Sequence, residues 1–128
     1  MSLNVLIVDD SAVMRKMITK TINLCGLDVS DFYEAGDGKE GLKKLDEHLV
    51  DLLFIDINMP VMDGMEMLSE VRKRDCSQNL PVLIVSTESN EGRIKEIGRQ
   101  GAAFIHKPFT PEVLREKIMG IIQNRKIK

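Results

Sequence analysis

The chain has 128 residues, 43% hydrophobic and 30% charged, a globular balance with room for one domain and its core but not for two ordinary ones. A net charge of −2 and a pI near 5.7 give no electrostatic case for nucleic acid or an anionic membrane surface. No apolar run approaches the roughly 18 residues that span a bilayer, no signal-peptide pattern opens the chain, and Cys25 and Cys76 form no C-x-x-C pair, so both read as reduced thiols of a cytoplasmic protein, Cys25 as core filler.

Residues 3–8 form a continuous apolar strand. From Ser11 to Cys25 the apolar residues Val13, Met14, Met17, Ile18, Ile22 and Cys25 mark one helical face, closed by Gly26. Asp31 to Ala35 is a weak strand, and Asp37 to Glu47 a short helix with Leu42 and Leu45 inward. Asp51 to Asp56 is a fully apolar strand that runs into a Met-Pro turn, after which Asp63 caps a helix bearing Met67, Leu68 and Val71. Pro81 opens the fourth strand, a position where a missing N–H is tolerated. A helix follows over Glu91 to Gln100 with Gly101 at its exit, and the fifth strand ends at Lys107. Thr110-Pro111 supplies an N-cap and a first-turn proline for the last helix, with Leu114, Ile118 and Ile122 on one face.

Five strand–helix units with apolar strands predict an α/β fold: a five-stranded parallel sheet in the order 2-1-3-4-5, doubly wound and flavodoxin-like, (βα)5, over residues 1–128 as one domain. Ligands of such sheets bind beyond the carboxyl ends of the strands, at the switch point between strands 1 and 3. Strand 1 ends in Asp9-Asp10, strand 3 in Asp56, strand 4 in Ser86 and strand 5 in Lys107. Three carboxylates, a hydroxyl and an ammonium thus become candidates for one site. A carboxylate can act as a nucleophile toward phosphorus and hold a phosphoryl group, and Asp56 is the best placed to do so. Clustered carboxylates repel: two unit charges about 4 Å apart interact by ~4 kcal/mol at an effective dielectric of about 20. A divalent cation relieves that repulsion, and Mg²⁺ suits one or two carboxylates with water and phosphoryl oxygens completing its shell.

The segments Val8-Asp9-Asp10-Ser11, Asp56-Ile57-Asn58-Met59-Pro60-Val61-Met62-Asp63-Gly64, Val85-Ser86-Thr87-Glu88 and Lys107-Pro108-Phe109, in this order and spacing, resemble those of response-regulator receiver domains. The likeness is to the CheY-like, single-domain chemotaxis regulators, a standing example of this strand order. The resemblance covers essentially the whole chain. It implies a two-component signalling protein rather than a turnover enzyme, phosphorylated on Asp56 by a partner histidine kinase and acting on a downstream protein partner. It implies Mg²⁺ held by Asp10, Asp56 and the Asn58 carbonyl, with Asp9 acting through water. Lys107 is implied to meet a phosphoryl oxygen and Ser86 to move on phosphorylation. Phe104 would be the aromatic switch, Asn58 and Glu88 would modulate the dephosphorylation rate, and a cis bond would precede Pro108. The output face would be the fourth helix, fifth strand and fifth helix.

Singly, each residue has a plainer reading. Asp10-Ser11 is also a helix N-cap, Asp56 a turn former, Ser86 a strand-end hydroxyl and Lys107-Pro108 a loop. Their co-occurrence at four strand ends favours the site. His48 and His106 have no metal-ligand spacing, and the methionines, including Met59, Met62, Met65 and Met67, read as core and turn filler. Gly36-Asp37-Gly38-Lys39-Glu40-Gly41 matches a dinucleotide fingerprint, but Asp37 would set a carboxylate against the pyrophosphate and the acidic pair would be unused. No Walker A loop is present, and Asn58 stands where a haloacid-dehalogenase-like phosphatase needs a second carboxylate. A small phosphohydrolase or nucleotide-binding enzyme remains the alternative class, and a receiver excised from a longer regulator the alternative context.

Overall fold

The computed structural model describes residues 2–87 and 90–127. Five parallel strands, β1 (Leu3–Val8), β2 (Val29–Ala35), β3 (Leu52–Asp56), β4 (Val82–Ser86) and β5 (Ala103–His106), lie in the order β2-β1-β3-β4-β5. Helices α1 (Ala12–Leu24), α2 (Gly38–Glu47), α3 (Gly64–Lys73), α4 (Glu91–Arg99) and α5 (Pro111–Ile127) connect and follow them. The expected fold class and strand order are both present.

Strand alternation explains the layers. Val5 and Ile7 of β1, Leu52 and Phe54 of β3, and Leu83 and Val85 of β4 pack against Ile18, Ile22 and Cys25 from the first helix and Leu114 and Ile118 from the last. Their neighbours Leu6, Val8, Leu53, Ile55, Val82 and Ile84 face Leu42, Met67, Leu68, Val71 and Ile97 on the other side. Positions covered on both faces must be apolar, which is why β1 from Val5 to Val8, β3 from Leu52 to Ile55 and β4 from Val82 to Val85 read as unbroken runs. Cys25 is buried, its Sγ lies 3.2 Å from the Pro111 carbonyl oxygen, and burial pushes its thiol up, so it fills core. The side chain of Cys76 lies outside the described residues.

Most caps fall where the sequence places them. Ser11 accepts from Met14 N–H, Asp37 from Glu40 N–H and Thr110 from Val113 N–H, while Asp63 and Glu66 cap α3 reciprocally. Gly26 and Gly101 follow α1 and α4 at φ of +76° and +74°, the left-handed conformation in which a side chain is strained. Two expectations need correction, and one element was not anticipated. The second strand begins at Val29, two residues early, because its backbone pairs with β1 although Ser30 and Asp31 interrupt the apolar pattern. A 3-10 turn at Asp75–Ser77 precedes β4. On α1, Val13 and Met17 are 71% and 53% exposed, so the buried stripe is narrower than the apolar one, and Leu24 extends the exposed part.

Candidate functional site

The ends of β1 and β3 bring Asp9, Asp10 and Asp56 together, one oxygen from each lying within 4.8 Å of the others. Asp9 is 2% exposed. Its Oδ1 accepts the Ser11 N–H at 2.9 Å, while its buried Oδ2 has no hydrogen-bond partner. Lys107 reaches in from the end of β5, with Nζ 3.7 Å from both Asp9 Oδ2 and Asp56 Oδ1. That is an ion-pair distance, too long for a hydrogen bond, and it places one ammonium between two carboxylates.

The electrostatics follow from this crowding. Burial pushes the Asp56 carboxyl up to about 6; Lys107 opposes the rise, and the charges of Asp9 and Asp10 add to it. Burial also raises Asp9, against the pull of the Ser11 N–H and Lys107. The site therefore resists carrying its full negative charge. A hard divalent cation fits it: three oxygen donors converge, and one buried oxygen has no hydrogen-bonded partner.

Ser86, at the end of β4, is 1% exposed, and its carbonyl accepts the Lys107 N–H at 2.9 Å, tying two of the site's residues through the main chain. The Lys107–Pro108 bond is cis. Phe104 pairs with Ile84, two residues short of Ser86, and its half-buried ring packs against the core on the α4 side and edge-on to His106, with centroids 6.2 Å apart. Asn58 is exposed two residues beyond Asp56. Glu88 lies outside the described residues. His48 stacks on Tyr33 with ring centroids 4.0 Å apart, away from the acidic cluster, in a packing role.

The glycine-rich segment is accounted for by packing. A Cβ on Gly38 would meet Met62 Cγ at 2.8 Å, and one on Gly41 would meet Met67 Cε at 2.7 Å and Val8 Cγ2 at 2.9 Å. These glycines let α2 approach α3 and β1, and Asp37 caps the helix where a phosphate would have to sit.

Two features escaped the sequence reading. Arg15 of α1 donates from Nη1 to the Asp9 carbonyl at 2.6 Å and from Nε to Glu34 Oε1 at 2.8 Å. A usable signal existed, since helical Cβ atoms tilt toward the N-terminus and aim a fourth-position side chain back over the strand end. The other is a groove of about 340 Å³ beside Lys107, lined by Met14, Met17, Thr21, Thr87, Pro108 and Phe109.

This arrangement of strand-end carboxylates and lysine has relatives. The sequence model of the response regulator receiver domain matches residues 5–119. Chemotaxis protein CheY1 of Helicobacter pylori is 35% identical over 122 residues, covering 94% of this chain and 97% of that protein. Chemotaxis protein CheY of Pseudomonas aeruginosa is 37% identical with the same coverage. Among solved structures, Vibrio cholerae CheY4 superimposes with a TM-score of 0.82 at 34% identity, covering 94% of this chain and 99% of that one. The CheX–CheY–BeF3–Mg complex of Borrelia burgdorferi matches with a TM-score of 0.83 at 33% identity, covering 94% and 89%. The chain belongs to the response regulator receiver domain family. Receiver domains are signalling regulators rather than turnover enzymes, and they bind Mg²⁺ at an acidic aspartate cluster of the kind found here.

Proposed function

We propose that residues 1–128 act as one CheY-like receiver domain in the cytoplasm, in which Asp56 accepts a phosphoryl group from a histidine kinase and relays the signal to a protein partner. The observation that carries this reading is the single ammonium of Lys107 lying 3.7 Å from both Asp9 and Asp56, at the mouth of a three-carboxylate cluster. An Asp56 oxygen attacks phosphorus, the bond from phosphorus to the donor imidazole nitrogen breaks, and the nitrogen leaves with the bonding pair. Asp9, Asp10 and Asp56, with the Asn58 carbonyl, would hold Mg²⁺, which supplies positive charge to the transferring phosphoryl oxygens when bound. Lys107 neutralises a phosphoryl oxygen as a point charge, and the groove beside it gives the donor an apolar approach. None of the described helices is long and apolar enough to cross a membrane.

Output rests on Ser86 and Phe104. When the Ser86 hydroxyl turns toward the phosphoryl group, space opens behind it that the Phe104 ring can fill, altering the face made by α4, β5 and α5. Phosphorylation can shift that equilibrium only through contacts made in one state alone; here these are Ser86 and Lys107 to the new oxygens. Asn58 and Glu88, flanking the site in sequence, would set the rate at which the phosphoryl group is lost.

The test is Mg²⁺-dependent labelling by a small phosphodonor. Wild type should take up acid-labile, hydroxylamine-sensitive phosphate and Asp56→Asn none; full labelling of the variant sinks the assignment. Lys107→Arg should still be labelled but respond poorly, since a planar fork cannot replace a point charge here. In a beryllofluoride-bound form, amide shifts should concentrate at residues 86–91 and 102–110. Shifts confined to Asp9, Asp10 and Asp56 would contradict the switch while leaving the phosphoacceptor in place.

A further inference from the structure

We infer that Arg15 is a positioning residue for the metal site: it acts through Asp9, fixing that residue so that Oδ2 is aimed into the acidic cluster. The inference rests on the proposed Mg²⁺ site and adds a residue outside it.

Asp9 lies one residue beyond β1 and is 2% exposed, so its polar groups must find partners inside the protein. Its N–H donates to the Ala35 carbonyl at 3.0 Å, prolonging the β1–β2 ladder. Its Oδ1 accepts from Ser11 N–H. Its carbonyl oxygen is taken by Arg15 Nη1 at 2.6 Å. Three of the four groups are thus held from three directions, by β2, by the entry to α1 and by the body of α1. Only Oδ2 is left without a hydrogen bond, and it is the oxygen that faces Lys107.

Arg15 suits this task through its shape. The guanidinium is a rigid fork, and Glu34 of β2 holds the Nε edge at 2.8 Å while the Nη1 edge reaches Asp9. Glu34 pairs in register with Ile7, two residues before Asp9, so the fork is braced on β2 beside the strand that leads into Asp9. A lysine could reach one acceptor but not span both. The charge of Arg15 ends on a carbonyl and an outer carboxylate, which distinguishes it from Lys107, whose ammonium faces the cluster itself. Partners that orient a metal ligand without touching the metal typically change affinity by 10–100-fold when removed.

The experiment titrates Mg²⁺ by calorimetry into wild type, Arg15→Met, Arg15→Lys, Glu34→Gln and Asp10→Ala, and measures the Mg²⁺ dependence of labelling by a small phosphodonor. Arg15→Met should weaken Mg²⁺ binding by roughly 10-fold or more, with the labelling rate recovering at saturating Mg²⁺. Arg15→Lys should fall between Arg15→Met and wild type, and Glu34→Gln should weaken binding by less than Arg15→Met does. A purely structural role would lower thermal stability without moving the Mg²⁺ midpoint, as a remote destabilised variant such as Ile97→Val should do. Mg²⁺ affinity of Arg15→Met within about twofold of wild type overturns the inference. If that variant does not fold, Arg15→Lys decides it by the same criterion. Failure of wild type to bind Mg²⁺, or an unchanged Asp10→Ala, would instead overturn the metal site itself.

Discussion

The two sides of the site are built differently. On the β1–β3 side, Val5 to Val8 and Leu52 to Ile55 are at most 1% exposed, and the carboxylates extend directly from this packed centre. On the α4–β5 side, α4 buries only Ile97 among its own residues, and β5 is four residues long with Ala103 and Phe104 half-buried. The C-terminal end of α4 is secured instead by Arg72 of α3. Its Nε donates to the Gln100 carbonyl at 2.6 Å and Nη2 to that of Gly101 at 3.1 Å, while Nη1 donates to Ser77 and Leu80 at 3.1 and 2.8 Å. The proposed switch needs acidic groups held still and an output face that can repack; burial fits the first requirement, and a helix pinned near one end is compatible with the second.

The contrast is broken most forcefully from its rigid side. Phe54→Ala should destabilise the whole domain by about 3–5 kcal/mol, the usual cost of emptying an aromatic core site, with every protected amide exchanging sooner. In wild type, amides of α4 should exchange through local opening at lower free energy than those of β1 and β3. Native-state hydrogen exchange with equal free energies for α4 and β3 would abolish the distinction.

The next effect lies in the acidic cluster. The Asp56 carboxyl is raised from 3.8 to about 6, so the metal-free folded state binds this proton more tightly than the unfolded chain does. Its contribution to stability is complete below about pH 4 and is lost as pH rises through about 6, an effect on the order of 3 kcal/mol at about 1.4 kcal/mol per pH unit. Asp9, also raised, acts in the same direction. The contribution is isolated by comparing wild type with Asp56→Asn: the variant should gain on wild type as pH rises from about 4 to 7, and saturating Mg²⁺ should narrow the gap. Denaturant melts at three pH values decide this, and parallel curves for the two proteins would remove the argument. Since the metal competes with that proton, Mg²⁺ affinity should also fall below about pH 6.

Arg72→Met strikes the pinned end of α4. Four carbonyls lose their donor, and because burial already lowers the arginine's pKa, part of the loss is recovered from its desolvation; a cost of about 2 kcal/mol is expected. Hydrogen exchange should rise at 97–101 and 77–80 and leave β1 and β3 unchanged. Uniform acceleration across the sheet would show that α4 is not separately hinged.

The sequence conveyed the densely packed side better than the thinly packed one, for physical reasons. Strand segments covered on both faces must be apolar, and ligand groups collect at strand carboxyl ends, so β1, β3, β4 and the convergence of Asp9, Asp10, Asp56 and Lys107 could be read directly. The edge strand β2 has polar side chains at Ser30, Asp31 and Glu34, so its first residues left little pattern. Val13 and Met17 look like core by periodicity, yet they lie beyond the stripe that α1 turns to the sheet. Arg15 and Arg72 could not be found by pairing charges, because most of their partners are main-chain carbonyls that any residue type provides.

The smallest effect concerns the loop between β3 and α3, which belongs to the rigid side yet carries strain. Val61 has φ of +67° and is 76% exposed, and the Met62 N–H donates to the Pro60 carbonyl at 2.7 Å. A bond from i+2 back to i around a residue of positive φ is the rare form of γ-turn, and a β-branched side chain there is an outlier. Neighbours hold the loop in place: Gly64 N–H donates to the Ile57 carbonyl at 2.8 Å and Gly38 N–H to that of Met62 at 3.2 Å, anchoring both flanks. Val61→Gly should remove roughly 1–2 kcal/mol of left-handed strain, offset by about 0.5–1 kcal/mol for the freer unfolded chain. The net gain of about 0–1.5 kcal/mol corresponds to a rise of at most a few degrees in Tm. The side chain points into solvent, so Mg²⁺ affinity should not change. Val61→Ala is the control, because it keeps a Cβ and should recover less than glycine does. A Val61→Gly protein no more stable than Val61→Ala would mean that the flanking bonds, not the Val61 backbone, set the energy of this turn.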